Sequence, residues 1–212
     1  GSVRFLSELT RSGWLSDCTT NQIPVFFCYH GRIVSQKGIT ILEQSCEEIF
    51  GKYPFVRVII IGQGEPALEK DIERMTLKYE GRLIYFKGYN RALARLATAS
   101  SDFLVMPSNF EPCGLEDYIA QIFGTLPVAH ATGGLKKIIE GKTGFLYEPN
   151  TSEALTAKIE PLIEKKEENP SAFNTMITYA ASYVHNRYDW HSVVNNQYIP
   201  FAVFKPTANG IY

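Results

Sequence analysis

The sequence predicts an α/β protein: a Rossmann-like, doubly wound parallel sheet of about six strands with flanking helices. Three observations point there. Short, nearly continuous apolar runs recur at residues 23–29, 56–61, 82–86, 102–106, 126–130 and 144–147, as expected of strands buried on both faces. Segments with apolar residues at helical spacing separate most of them. Gly, Pro and Asn follow the runs, so strand, loop and helix alternate, the order that builds a parallel sheet with right-handed crossovers.

Taken in order, residues 3–14 have apolar positions at 3, 5, 6 and 9 and predict one helix. Residues 16–22 are polar and loop-like. Together with Gly1-Ser2, read as an expression remnant, they make an N-terminal segment, 1–22. The first strand, 23–29, leads through a loop to a helix at 39–50 with Ile41, Leu42, Cys46 and Ile49 toward the sheet. The second strand ends in Gly62-Gln63-Gly64, and Pro66 suits the first turn of the next helix. Asn90 is a good N-cap for an Ala-rich helix at 91–99. Asp102–Leu135 then packs two strand–loop–helix units together, with helix starts expected after Gly114 and at Thr132-Gly133-Gly134-Leu135. Residues 150–168 predict a helix capped by Thr151 or Ser152 and broken or kinked near Pro161, followed by a helix at 170–187. Residues 23–189 form one domain in this reading. A last helix capped by Asp189 and a tail make up 190–212.

Composition narrows the function. The chain has 212 residues and a net charge of −1, so no basic footprint argues for nucleic acid or an anionic membrane as partner. No apolar run approaches the roughly 20 residues needed to span a bilayer. Cys18, Cys28, Cys46 and Cys113 are far apart and form no C-x-x-C pair, which reads as free thiols in a reducing compartment and gives no metal site. No secretory h-region opens the sequence. A cytoplasmic location is expected, or a plastid one in a plant.

The site candidates gather at one sheet edge, the carboxyl ends of the strands, where open α/β sheets bind ligands. A helix N-terminus there suits an anion. Arg32 and Lys37 follow the first strand and suit a diphosphate clamp, against the alternative of two ordinary surface cations. Gly62-Gln63-Gly64 lacks the full dinucleotide fingerprint, and no acidic residue ends the next strand; a tight turn competes. Tyr89 suits stacking on a base, or covers the sheet edge. Glu111 sits before the open amides of Cys113, Gly114 and Leu115, where a carboxylate accepts hydroxyl hydrogen bonds. Thr132-Gly133-Gly134-Leu135 suits a phosphate nest. His30, His130, His185 and His191 show no metal-ligand spacing; His30 and His130 end strands at this edge, where a structural role is favoured over contact with ligand. Phosphate and hydroxyl recognition side by side suggest a sugar phosphate or a nucleotide sugar.

These residues carry a resemblance. His30-Gly31-Arg32, Gln36-Lys37-Gly38, Gly88-Tyr89, Pro107-Ser108-Asn109-Phe110-Glu111-Pro112-Cys113-Gly114-Leu115, Gly124-Thr125-Leu126-Pro127-Val128 and Thr132-Gly133-Gly134-Leu135 are similar to the C-terminal domain of bacterial glycogen synthases and plant starch synthases, retaining glucosyltransferases of the GT-B fold. The match covers roughly residues 23–190. It implies ADP-glucose as donor, the non-reducing end of an α-1,4-glucan as acceptor, and no metal or other cofactor. It makes Arg32 and Lys37 the phosphate clamp, with Gly31 beside them, and Tyr89 the adenine platform. Glu111 holds glucose hydroxyls, helped by the Cys113, Gly114 and Leu115 amides.

Two departures bear on function. Most relatives have Thr then Gln where Glu116 and Asp117 stand, and the Thr position contacts the phosphates in the family. A carboxylate there favours the helix start and repels a diphosphate, so three outcomes stay open: Glu116 points away, donor binding is weaker, or the activity is altered. The family's N-terminal domain, which supplies the acceptor half of the cleft, has no counterpart in this sequence, so the chain alone is expected to be inactive. The rival readings are a non-catalytic regulatory or glucan-associated homologue, a relative using UDP-glucose and, more distantly, a Rossmann oxidoreductase.

Overall fold

A computed structural model describes residues 2–16 and 22–202; Cys18 and the tail beyond 202 lie outside them. Six strands form one parallel sheet: β1 (Val25–His30), β2 (Val56–Gly62), β3 (Leu83–Lys87), β4 (Phe103–Met106), β5 (Leu126–His130) and β6 (Phe145–Tyr147). Their order is β3-β2-β1-β4-β5-β6. The chain therefore winds outward from β1 in one direction and from β4 in the other. The crevice between the carboxyl ends of β1 and β4 is the point where the winding reverses.

Every residue of β2 and β4 is buried, which explains why their sequences are continuous apolar runs rather than alternating ones. Side chains still alternate between faces. Phe27, Val58, Ile60, Phe103 and Val105 face one layer, with α2 (Ile39–Lys52), α3 (Pro66–Lys78) and α6 (Ser152–Glu168). Cys28, Ile59, Ile61, Leu104 and Met106 face the other, with Leu9 of α1 (Ser2–Arg11), Ala97 of α4 (Arg91–Ser100) and Ala120 of α5 (Glu116–Phe123). Because Leu9 and Leu15 are buried there, α1 and the turn after it pack on the domain.

Several boundaries shift, each for a local reason. The first strand starts at Val25, and its ladder with β2 runs through His30. Residues 133–137 form a 3-10 turn instead of an α-helix, so β5 and β6 are joined without a full crossover helix. Helix α6 passes through Pro161 unbroken. The missing N–H costs one hydrogen bond, and burial of Leu155, Ile159, Leu162 and Ile163 holds the helix together on either side of it. Helix α7 (Asn174–Tyr188) begins four residues later than its apolar spacing suggests. The described residues end in the expected helical run after Asp189, made of α8 (Trp190–Val193), a π turn at Val194–Tyr198 and α9 (Ile199–Ala202) without a break. The expected caps form: the Asn90 side chain accepts from the Leu93 amide, Thr151 from Ala154 and Asp189 from Ser192.

Candidate functional site

A cavity of about 810 Å³ opens at the β1/β4 crevice. Its walls come from the loops after β1 (Gly31, Arg32, Lys37), β2 (Gln63, Gly64), β3 (Gly88, Tyr89) and β4 (Ser108, Glu111), and from the start of α5 (Gly114, Leu115, Glu116). The sequence pattern brings these loops to one edge. Glycines then let them touch. Gly38 has φ +68, and a Cβ there would overlap the Pro107 carbonyl; on Gly62 and Gly64 it would overlap the carbonyls of Gly31 and Ile33. The Gly62-Gln63-Gly64 pattern is thus explained by close approach of the β1 loop rather than by a dinucleotide.

Hydrogen bonds lock the contact. The Asn109 amide donates to the Gln36 carbonyl at 2.9 Å. The side-chain amides of Asn109 and Gln36 donate to the carbonyls of Ser35 and Phe110 at 3.0 and 3.2 Å. Beneath, the Tyr29 hydroxyl donates to the Arg32 carbonyl at 2.7 Å; burial and the nearby Glu111 carboxylate push that phenol well above its ordinary range. The 3-10 turn Ser35–Lys37 before α2 thereby fixes Lys37 over the β4 loop, and Lys37 Nζ binds Glu111 Oε2. Both side chains are mostly buried. Ser108 Oγ lies 3.3 Å from the same carboxylate oxygen. The Glu111 carboxylate keeps acceptor capacity beyond these two contacts.

Charge is unevenly matched around the cavity. Lys87 is paired with Glu69 at 2.9 Å and Glu73 at 3.1 Å. The Gly64 amide and Lys87 hold the Glu69 carboxyl below its usual range. Among the described residues that line the cavity, Arg32 is the cation with no carboxylate in ion-pair reach. Its guanidinium is available to an anion. Helix α5 begins at Glu116, which lines the cavity, and Leu115 gives it no side-chain cap, so the positive end of the helix dipole lies at the cavity. Tyr89 is 84 % exposed at the rim, free to stack.

Some expected site residues sit elsewhere. Cys113 and Thr132-Gly133-Gly134-Leu135 stand behind the Glu111 loop and do not line the cavity. Three amides of the glycine-rich turn are committed, Thr132 to the His130 carbonyl at 2.7 Å, Gly134 to the Glu111 carbonyl at 2.8 Å and Leu135 to the Thr132 carbonyl at 2.9 Å. A Cβ on Gly133 or Gly134 would overlap the carbonyls of Glu111 and Cys113. These glycines prop the Glu111 loop; they do not form an open nest. Leu135 is fully buried. His130 is structural, its Nδ1 2.8 Å from the Ser108 carbonyl, whereas His30 lines the cavity. Burial pushes the His30 imidazole below its ordinary value.

Glu116 and Asp117 both have partners that the sequence did not reveal. Arg95 Nη1 lies 3.1 Å from Glu116 Oε2. Asp117 is fully buried, 3.1 Å from Lys137 Nζ. Lys137 also binds the carbonyls of Cys113 and Gly114 and sits 4.1 Å from the Tyr118 ring centre. Burial raises the Asp117 carboxyl to about 6 against the pull of Lys137.

Residues 19–180 match the family described as glycosyl transferases group 1. The chain belongs to that family. Within group 1, it is 42 % identical over 135 residues to a glycogen synthase of Xanthomonas campestris pv. campestris (strain 8004), covering 63 % of this chain and 28 % of that protein. It is 38 % identical over 169 residues to a glycogen synthase of Pseudomonas syringae pv. syringae (strain B728a), covering 79 % of this chain and 34 % of the other. The chain thus spans about a third or less of these relatives' length. Among solved structures, the catalytic domain of starch synthase IV from Arabidopsis thaliana, bound to ADP and acarbose, superposes with a TM-score of 0.70 at 22 % identity, over 82 % of this chain and 37 % of that one. Anabaena HepE in complex with UDP-glucose gives 0.72 at 22 %, over 95 % and 53 %. The group 1 chain described here is one Rossmann-like half of a GT-B fold, and no helix among its described residues is long and apolar enough to cross a membrane.

Proposed function

We propose that this chain is the donor-binding C-terminal domain of an α-1,4-glucan synthase, taking ADP-glucose as donor and adding glucose to the non-reducing end of a glucan with retention. The observation that carries the reading is the convergence of Arg32, Lys37, Glu111 and the uncapped start of α5 on one cavity at the sheet's reversal point. Arg32 and the α5 amides receive the diphosphate. Glu111, pinned by Lys37, accepts glucose hydroxyls. Tyr89 stacks on the base. The bond from the anomeric carbon to ADP breaks as the acceptor oxygen bonds on the same face, and the acceptor proton goes to the departing phosphate. The protein's part is preorganised positive charge where phosphate charge develops, with no metal and no other cofactor. The second GT-B half supplies the acceptor side and the closure that excludes water. The site needs no compartment other than the cytoplasm, or a plastid stroma in a plant.

Calorimetric titration of ADP, with UDP as competitor, tests the reading. ADP is expected to bind and UDP to bind more weakly. Arg32→Ala is expected to weaken ADP by about ten- to a hundredfold, the loss of a charge-assisted hydrogen-bonding partner. Equal ADP affinity in the variant sinks the phosphate assignment. UDP binding more tightly than ADP moves the donor to UDP-glucose, which HepE's ligand makes the second reading.

A further inference from the structure

We propose that Arg95 is a positioning residue for the donor's diphosphate, holding the Glu116 carboxylate away from the phosphate-binding start of α5. The inference rests on the donor-site reading above. Glu116 is the first residue of α5 and lines the cavity. A free carboxylate there would sit beside the amides that receive phosphate and would repel it. The geometry supplies a counter-charge from a neighbouring element. Arg95, one turn into α4, places Nη1 3.1 Å from Glu116 Oε2. Its guanidinium also lies 5.9 Å from the Phe123 ring centre at the far end of α5, so it is braced along that helix.

His30 approaches the same oxygen, Nε2 to Oε2 3.8 Å, beyond hydrogen-bond range. That nitrogen is buried with no hydrogen-bond partner among the described residues. Burial favours the neutral imidazole, so the positive charge facing Glu116 is that of Arg95. The pair is partly exposed, Glu116 at 42 % and Arg95 at 25 %, and such pairs contribute little to stability. A residue that mattered only to the fold through this contact would leave ligand binding untouched.

The test is a double-mutant cycle on the full chain, with ADP as probe: wild type, Arg95→Ala, Glu116→Gln and the double variant. Arg95→Ala is expected to weaken ADP by about tenfold or more in the wild-type background and by less than about threefold in the Glu116→Gln background. Equal losses in both backgrounds overturn the proposal, because Arg95 would then act on the ligand directly; no loss in either also overturns it. The Arg95→Lys variant should recover part of the affinity. The contact is read without ligand by the NMR titration of His30, which should shift upward in Arg95→Ala, where a nearby cation is lost; an unmoved titration overturns the pairing. If wild type binds neither ADP nor UDP at millimolar concentration, the donor-site reading itself fails, which the cycle's other outcomes do not imply.

Discussion

Asp117 carries an unusual burden for a carboxylate. It is fully buried, with Lys137 as its cationic partner at 3.1 Å. Its carboxyl is raised from 3.8 to about 6 by desolvation. Between those values the folded form binds more protons than the unfolded one. Stability from this group is therefore highest at low pH and declines as pH rises through the window, by on the order of 3 kcal/mol. Asp117→Asn should lack that decline. Urea midpoints of wild type and variant from pH 4 to 7 check it, and parallel curves would refute it. Part of this scale was legible in the sequence. Arg32, Lys37 and Glu111 stood out because several glycine-flanked polar loops recur at the sheet's carboxyl edge; alone, each also reads as ordinary loop surface. Arg95 did not, since an arginine on an Ala-rich helix that also carries Arg91 reads as solvated surface until the helix is placed beside α5. The turn at Thr132–Leu135 was ambiguous because a phosphate nest and a backbone crossing both demand glycine, and the crossing is what the packing on the Glu111 and Cys113 carbonyls shows.

At the scale of elements, the joined loops after β1 and β4 decide how well the site is built. The 3-10 turn Ser35–Lys37 ends in Gly38, whose left-handed conformation and contact with Pro107 leave no room for a side chain. Gly38→Ala should cost about 2–4 kcal/mol, from the forced φ and the overlap combined. ADP affinity should fall as well, because Lys37 and Glu111 would part. Chemical denaturation and calorimetry on the same variant check both, and a loss of stability with unchanged ADP affinity would show the loops to be independent of the site. The strands were legible from their apolar runs. Helix ends were less so: α6 continues through Pro161 because the buried face on either side outweighs one absent hydrogen bond, a balance no local pattern reveals.

For the whole molecule, the parallel, doubly wound character follows from the alternation of strands and helices, yet the strand order, and with it the crevice, becomes visible only once β1 and β4 pair. The proposed function needs a second half, and the chain covers about a third or less of the glycogen synthases it matches. Glucan extension by this chain alone is expected to be undetectable while ADP still binds. Incorporation of labelled glucose into glucan checks this, and measurable turnover would overturn it.

The hydrogen-bond ladder of the sheet does not stop where the strands stop. Gly31 donates to Ile61, Ile33 to Gln63, Glu65 to Ile33 and Gly88 to Gly62, all at 2.7–3.0 Å, so the rim of the cavity is laced together past the ends of β1, β2 and β3. Loops of this kind ordinarily exchange their amide protons through small local openings. Here the amides of Ile33, Glu65 and Gly88 can reach deuterium only when the sheet's carboxyl end frays as a unit. Their exchange should be slow and share one opening free energy with the ends of β1 and β2, and rapid, independent exchange at Ile33 would show the rim to open by itself.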